Sequence, residues 1–208
     1  MLTQIFLVRH GKTAWSESGQ HTSRTEIPLN PEGEQGARGL ASSLRGLKFI
    51  AIFASPRERA RRTCELAGLG QGMAIEPDLA EWDYGAYEGL RSAEITAHRP
   101  DWNLFRDGCP GGETPAQVSA RADRLLARLR ALGGNIALFS HGHFGRVLAA
   151  RWMDLPVLVG QRLLLDPASL SIFGYEHHDP AAPVVALWNA RADREMVGEA
   201  RFEFANTK

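Results

Sequence analysis

The chain has 208 residues with 24 basic and 24 acidic side chains, no net charge and an apolar content of 44%, which suits one globular domain over residues 1–208. Because basic residues are interspersed with acidic ones and no apolar run approaches the roughly 20 residues that span a bilayer, the sequence argues against nucleic-acid and membrane partners. The first residues lack the pattern of a secretion signal, and the two cysteines, Cys64 and Cys109, have no metal-ligand spacing, so we expect a cytoplasmic protein with reduced thiols.

The first clear element is the apolar run Ile5–Val8, which ends in Arg9, His10 and Gly11. Four consecutive apolar residues are typical of a strand buried on both faces of a parallel sheet. In such sheets ligands bind at the carboxyl ends of the strands. Arg9 suits phosphate or carboxylate oxygens, and His10 can act as a nucleophile or as an acid–base group. Taken alone, however, a histidine after a strand is more often structural.

A polar segment without periodicity, residues 15–26, comes next. Loops of this length in compact domains tend to be functional. Asn30 is an N-cap candidate and Pro31 favours the first position of a helix. We therefore predict a long loop followed by a helix that runs to about Leu44.

A second buried strand is predicted at Phe49–Ala54. Ser55 with Glu58 three residues later has the pattern of a capping box, which predicts a helix that begins directly after Ser55. Arg59 then lies near the first turn and points toward the same crevice as His10. Three neighbouring arginines are interpreted as a solvated helix face: Arg57, Arg61 and Arg62.

The segment Leu79–Gly89 interleaves aromatic residues with acids. Apolar rings beside a carboxyl group, such as that of Glu81, raise its pKa by desolvation and suit it to proton donation. The alternative is a loop whose rings fill the core and whose acids are exposed. Composition alone favours that alternative.

The rest of the chain continues to alternate strands and helices. A third buried strand, Ile136–Phe139, ends in the polar cluster Ser140–His143, which repeats the pattern of the first strand. The tail predicts two antiparallel strands at an edge of the sheet. The predicted fold is therefore α/β, with a mostly parallel sheet and an antiparallel edge strand. The other predicted elements are Ala74–Ile75 (strand), Ser92–Arg99, Thr114–Leu132 and Phe144–Met153 (helices), residues 102–112 (an irregular lid), and Ser169–Tyr175 and Val184–Trp188 (the tail strands).

Four motifs in this order resemble the histidine phosphatase superfamily: Leu7–Thr13, Ser55–Ala60, Glu81–Gly89 and Ser140–Gly142. The resemblance implies the three-layer α/β/α sandwich of the phosphoglycerate mutase-like fold. Finer matches look like the sedoheptulose-1,7-bisphosphatase branch, and they lie at Trp15–Gln20, Arg106–Thr114, His141–His143 and Tyr175–His178. Ser16 and Ser23 depart from the residues common in relatives, which are asparagine and glycine respectively.

The resemblance also implies a role for each matching residue. His10 would form a phosphohistidine, while Arg9, Arg59 and a protonated His141 neutralise the phosphoryl oxygens. Glu81 would protonate the leaving group and then activate water. No metal and no cofactor are implied. The implied substrate-binding residues are Thr22, Ser23, Arg24, Trp82, Tyr84, His143 and His178, whereas His21 and His98 are interpreted as surface residues.

These features predict a metal-independent phosphatase that acts on a small phosphorylated metabolite, with a sugar bisphosphate as the expected substrate. Arg24, Arg106, His143 and His178 are expected to supply cations for its second anionic end. The alternatives are a phosphoglycerate mutase, a protein phosphohistidine phosphatase, and a non-catalytic protein that binds a phosphorylated ligand. The only partner expected is the small-molecule substrate, and a homo-oligomer is compatible with the sequence.

Overall fold

The computed structural model describes residues 2–191, whose strands form one mixed sheet in the order β3–β2–β4–β1–β5–β6. The four strands from β3 to β1 are parallel, and β5 is antiparallel to both β1 and β6. The predicted mostly parallel sheet with an antiparallel strand toward one edge is confirmed. The strands are β1 (Thr3–Arg9), β2 (Ala51–Ala54), β3 (Met73–Ile75), β4 (Gly134–Ser140), β5 (Ser169–Tyr175) and β6 (Pro183–Arg191).

Helices cover both faces of this sheet. No helix among residues 2–191 is long and apolar enough to cross a membrane. The α-helices are α1 (Ala14–Ser18), α2 (Pro31–Leu44), α3 (Glu58–Leu66), α4 (Ser92–His98), α5 (Leu104–Asp107), α6 (Pro115–Leu132) and α7 (Gly142–Trp152). Short 3₁₀ turns lie at Pro77–Leu79, Gly85–Tyr87, Val157–Arg162 and Glu176–His178.

Two apolar cores, one on each face of the sheet, make the fold three-layered. Because successive side chains of a strand point to opposite faces, Ile5 and Leu7 of β1 join the core under α6 and α7, whereas Phe6 and Val8 join the core under α2 and α3. Burial on both faces explains why this strand reads as an uninterrupted apolar run.

The sheet brings the predicted polar ends together. β1 and β4 pair in register up to Arg9 and Ser140, and the backbone N–H of His10 donates to the Ser140 carbonyl at 3.0 Å. On the other side of β4, the N–H of Ser55 donates to the Phe139 carbonyl at 2.9 Å. The residues that follow three neighbouring strands therefore lie close together at the carboxyl-terminal ends of these strands, which form one edge of the sheet.

Helix starts differ from the sequence-based predictions in three places. A five-residue helix, α1, lies within the predicted loop; it is capped by Thr13 and is too short to show periodicity. The capping box at Ser55 was wrong: α3 begins at Glu58, because the Ser55 hydroxyl bonds His141 instead. The last helix, α7, begins at Gly142 rather than Phe144, which makes His141 its N-cap.

The antiparallel strand β5 corrects one predicted site residue. Its register pairs Leu170 with Val8 and Phe173 with Ile5, so β5 runs away from the edge that carries His10. His178 follows β5 and is exposed at the opposite edge of the sheet. The expectation that His178 binds substrate was therefore wrong.

Candidate active site

His10 is buried and has one ring nitrogen left free. Its Nδ1 lies 2.7 Å from the carbonyl oxygen of Gly11, which can only accept, so Nδ1 carries the proton and Nε2 keeps its lone pair. Burial, with Arg59 and Arg9 nearby, holds the pKa of His10 well below its ordinary value of 6.5. The imidazole is thus neutral at pH 7, which is the state of a nucleophile.

Two arginines stand close enough to His10 to act on its charge. Arg59 is fully buried and donates to the carbonyls of Thr22, Ser23 and Thr25 at 3.0–3.1 Å. Arg9 donates to the Leu165 carbonyl. Within residues 2–191, the Nε of each arginine is buried without a hydrogen-bond partner.

His141 adds a third buried nitrogen without a partner. Its ring lies 5.2 Å from that of His10, and its Nε2 lies 2.7 Å from the Ser55 hydroxyl. That hydroxyl accepts a bond from the N–H of Arg57 and can donate its own proton to Nε2, which leaves the ring proton on the unpaired Nδ1. Burial, with Arg59 and His10 nearby, holds the pKa of His141 well below 6.5. Burial thus favours the neutral form of His141 in the absence of a bound anion, and a protonated His141 beside a bound phosphoryl group stays a prediction.

The carboxyl group of Glu81 is held by backbone N–H groups. Oε1 accepts from Trp82 at 2.9 Å and from Phe144 at 2.7 Å, and Oε2 accepts from His143 at 3.0 Å. Two of these donors belong to the first turn of α7, where N–H groups have no partner within the helix. The sequence suggested apolar rings around this group, but the structure surrounds it with polar donors.

A partly buried ion pair between Glu113 and Arg121 bonds the chain on both sides of Glu81. Arg121 bonds the Glu113 carboxylate at 2.7 Å and donates to the carbonyls of Asp78 and Ala80 at 2.8 Å. Glu113 accepts from the N–H of Asp83 at 2.9 Å. The pair fixes the backbone that carries Glu81, and sequence reasoning missed it because its members lie more than 30 residues from that segment.

Ser23 does not face the cleft, contrary to expectation. Its N–H and hydroxyl both bond the Glu88 carboxylate, at 2.6–3.0 Å. The N–H of Thr25 bonds the same carboxylate at 3.0 Å. Glu88 thus holds the loop in a conformation in which the carbonyl oxygens of the loop accept hydrogen bonds from Arg59.

A cavity of about 180 Å³ opens at this edge of the sheet. Arg9, His10 and Glu81 line it, as do Thr22, Tyr84 and His143 among the expected substrate-binding residues. Arg59 and His141 are fully buried beside it.

Two lining residues of this cavity escaped sequence reasoning: His21 and Arg146. His21 is only 6% exposed, so its assignment to the surface was wrong. A lone histidine in a polar loop and an arginine in an amphipathic helix carry no sequence signal for such a place. His98, by contrast, is exposed as expected.

Other expected contacts lie elsewhere. Trp82 is fully buried against Phe105 and bonds the Glu113 carbonyl, because a large ring gains more from burial in the core than from facing a polar cleft. Arg24 is 73% exposed, pairs with Asp83 and lines a different depression. Arg106 pairs with Asp107 outside the cleft. The side chains of these three residues do not line the cavity that holds His10.

Comparison with known proteins agrees with this geometry. The model of the histidine phosphatase superfamily, branch 1, matches residues 5–190. An acid phosphatase of Mycobacterium tuberculosis is 44% identical over 179 residues, which cover 84% of this chain and 87% of the relative. The sedoheptulose 1,7-bisphosphatase of Saccharomyces cerevisiae is 38% identical over 186 residues, 74% of this chain and 69% of the relative. A solved structure of an open-reading-frame product from M. tuberculosis superposes with a TM-score of 0.85 at 38% identity, covering 91% of this chain and 98% of that one.

Proposed function

The chain belongs to the histidine phosphatase superfamily and is a phosphatase of that type, and we propose that it hydrolyses a small phosphorylated metabolite through a phosphohistidine on His10. One observation carries this proposal. The free Nε2 of a neutral His10 belongs to a ring that lies 5.2 Å from His141 and within the electrostatic reach of Arg9 and Arg59, and Nε of both arginines and Nδ1 of His141 are buried without a partner in residues 2–191. A phosphoryl group would supply an acceptor for each of these donors and an electrophile for the lone pair.

In the first half-reaction, Nε2 of His10 attacks phosphorus and the ester P–O bond breaks as the N–P bond forms. The guanidinium groups of Arg9 and Arg59 offset the charge on the equatorial oxygens, so that fixed cations supply the electrostatic stabilisation. Glu81, in its protonated form, gives its proton to the departing alkoxide. Oε2 accepts a single backbone hydrogen bond, from His143, and therefore has a second lone-pair site that can carry this proton.

In the second half-reaction, the carboxylate of Glu81 takes a proton from water while the water oxygen attacks phosphorus. The N–P bond then breaks, inorganic phosphate leaves, and His10 and Glu81 return to their starting states. The negative charge of a bound phosphoryl group also favours a proton on His141, which opposes the burial that keeps this ring neutral in the free protein.

Within this activity we propose a sugar bisphosphate as substrate. Of the four residues expected to supply cations for the second phosphate, only His143 lines the cavity, and burial disfavours its charged form by holding its pKa well below 6.5. Arg146 takes that place: its guanidinium stacks over the Phe105 ring at 4.6 Å and its Nε bonds the Gly160 carbonyl. Its terminal nitrogens make no hydrogen bond within the described part of the chain, and the residue lines the cavity. The similarity to a sedoheptulose 1,7-bisphosphatase supports the same substrate class.

The test is a comparison of kcat/KM for sedoheptulose-1,7-bisphosphate and fructose-1,6-bisphosphate with the values for their monophosphates and for 3-phosphoglycerate. A charge-assisted contact to the second phosphate should favour each bisphosphate by about tenfold or more. A chelator should not change the rates. A flat profile would contradict the bisphosphate proposal alone, whereas isomerisation of 3-phosphoglycerate that outruns hydrolysis would contradict the phosphatase proposal as well.

A further inference from the structure

Two histidines, His21 and His143, stand side by side in the cleft, and no catalytic step above uses them. Their rings are parallel to within 6°, with centroids 5.9 Å apart. Both line the cavity that holds His10, and both also line the adjoining depression under Trp102. Their ring planes therefore form part of the wall next to the reacting groups.

The protonation of each ring follows from its hydrogen bonds. Nδ1 of His21 lies 2.7 Å from the Leu90 carbonyl oxygen and must donate to it. Burial holds the pKa of His21 below its ordinary value, so Nε2 carries no proton and is an acceptor.

His143 has the opposite arrangement. Its Nδ1 lies 2.6 Å from the Tyr84 hydroxyl, and burial keeps that phenol protonated by raising the pKa of Tyr84 well above 10. Within residues 2–191 the hydroxyl has no other acceptor, so it donates to Nδ1. Burial likewise holds the pKa of His143 well below 6.5, which leaves one ring proton, on Nε2.

We propose that His21, as hydrogen-bond acceptor, and His143, as donor, form a pair that binds hydroxyl groups on the carbons next to the phosphate ester. Neither Nε2 has a partner within the described chain, and neither is sealed from solvent. One hydroxyl group can donate a hydrogen bond to Nε2 of His21, and a neighbouring hydroxyl group can accept one from Nε2 of His143. Two neighbouring hydroxyls therefore supply the partner that each ring lacks.

The place of the pair sets which hydroxyls it meets. The backbone N–H of His143 bonds the carboxyl group of Glu81, the proposed proton donor to the leaving oxygen. The His143 ring therefore lies at the leaving-group side of the cleft. The inference rests on the proposed function and narrows it, because it selects polyol phosphates over simple alkyl phosphates.

The experiment compares kcat/KM for glycerol 1-phosphate, which carries two neighbouring hydroxyls, with kcat/KM for propyl phosphate, which carries none. His21→Asn keeps a donor for Leu90 but loses the acceptor at Nε2. His143→Asn keeps an acceptor for Tyr84 but loses the Nε2 donor. Since each variant removes one hydrogen bond to substrate, we expect each to lower the glycerol-to-propyl ratio by about three- to tenfold.

The matched control is His98→Asn on the exposed face of α4, for which the ratio should stay at the wild-type value. A ratio near one in the wild type, or a ratio that neither site variant changes, would overturn the inference. The ratio also separates a role in substrate recognition from a structural role, because misfolding lowers kcat/KM for glycerol 1-phosphate and for propyl phosphate by the same factor.

Failure of the proposed function gives a different result. If the wild type hydrolyses neither ester, calorimetric binding of the two esters still decides the inference. Tighter binding of glycerol 1-phosphate that both asparagine variants abolish would support the pair, and equal binding of the two esters would refute it.

Discussion

The two ends of the cleft, the proposed phosphate end around His10 and the proposed leaving-group end around Glu81, use their polar groups in opposite ways. Around His10, the Nε atoms of Arg9 and Arg59 and Nδ1 of His141 are buried without a partner in residues 2–191. Around Glu81, three backbone N–H groups and the Glu113–Arg121 pair bond the catalytic segment from several sides.

The difference shows what each end requires. A buried donor without a partner costs about 1–3 kcal/mol, a cost that an arriving phosphoryl group removes. A proton donor, by contrast, must already stand in the right place when the bond breaks. The phosphate end is thus built to gain bonds from the ligand, and the leaving-group end is built to hold its geometry without it.

The largest effect is expected from a substitution that disables the phosphate end. His10→Gln removes the proposed nucleophile, so kcat should fall by about 10⁴-fold or more for alkyl and aryl phosphates alike, because both would need the same phosphoenzyme. Steady-state rates on both substrate types measure this. Retention of more than a few per cent of activity would mean that His10 does not carry the phosphoryl group.

The next largest effect is expected from a substitution that alters the leaving-group end alone. Glu81→Gln removes the proposed general acid, and such a group typically contributes about 10²–10⁴-fold. Alkyl phosphates, with poor leaving groups, should lose that factor, whereas nitrophenyl phosphate, whose leaving group needs little help, should lose far less. Equal losses on the two substrates would argue that Glu81 binds rather than donates a proton.

A smaller effect on rate should come from the ion pair behind Glu81. Arg121→Met leaves the partly buried Glu113 carboxylate without its cation and should lower the free energy of unfolding by about 1.5–3 kcal/mol. Because the Glu81 segment then loses its position, rates on alkyl phosphates should fall about 10- to 100-fold.

The matched control for Arg121 is Arg124→Met, on the same helix but 56% exposed. Arg124→Met should change neither the free energy of unfolding nor the rate on alkyl phosphates measurably, since exposed ion pairs contribute little to stability. If the two variants behave alike, or if Arg121→Met slows nitrophenyl phosphate as much as the alkyl esters, the positioning role is refuted.

The last effect concerns the pH dependence of stability and the buried histidines of the cleft, and it is expected on stability alone. The pKa values of His10, His141 and His143 are lower in the folded protein than the ordinary 6.5, so the unfolded chain binds more protons as the pH falls. The free energy of unfolding should be flat above pH 7.5 and should fall below pH 6.5, by up to about 1.4 kcal/mol per pH unit for each histidine.

Urea unfolding between pH 5.5 and 8 measures this slope. His141→Gln should make it shallower, whereas His98→Gln, at an exposed position, should leave it unchanged. Identical slopes in all three proteins would contradict the burial of a neutral His141.

The sequence predicted the parts of this molecule that depend on local pattern. The apolar runs of β1, β2 and β4 predicted a covered parallel sheet, and Asn30 and Thr114 cap α2 and α6 as expected. Strand ends then placed Arg9, His10 and His141 at one edge without any knowledge of the register.

The remaining features depend on long-range contacts that no local pattern encodes. The Ser55 hydroxyl bonds His141 across two strands instead of capping α3, and the direction of β5 carries His178 away from the cleft. His21 enters the cleft because the Leu90 carbonyl, 69 residues away, bonds its ring. Such partners are fixed only when the whole sheet and its loops have assembled.

The central claim is that the phosphate end of the cleft transfers a phosphoryl group to His10. Rapid quenching with a substrate labelled at the transferred phosphate tests it most directly, followed by mapping of the labelled peptide. We predict an acid-labile, base-stable adduct on His10 that forms and decays at rates consistent with turnover. Label on His141, on a residue other than histidine, or on no residue at all would contradict the claim.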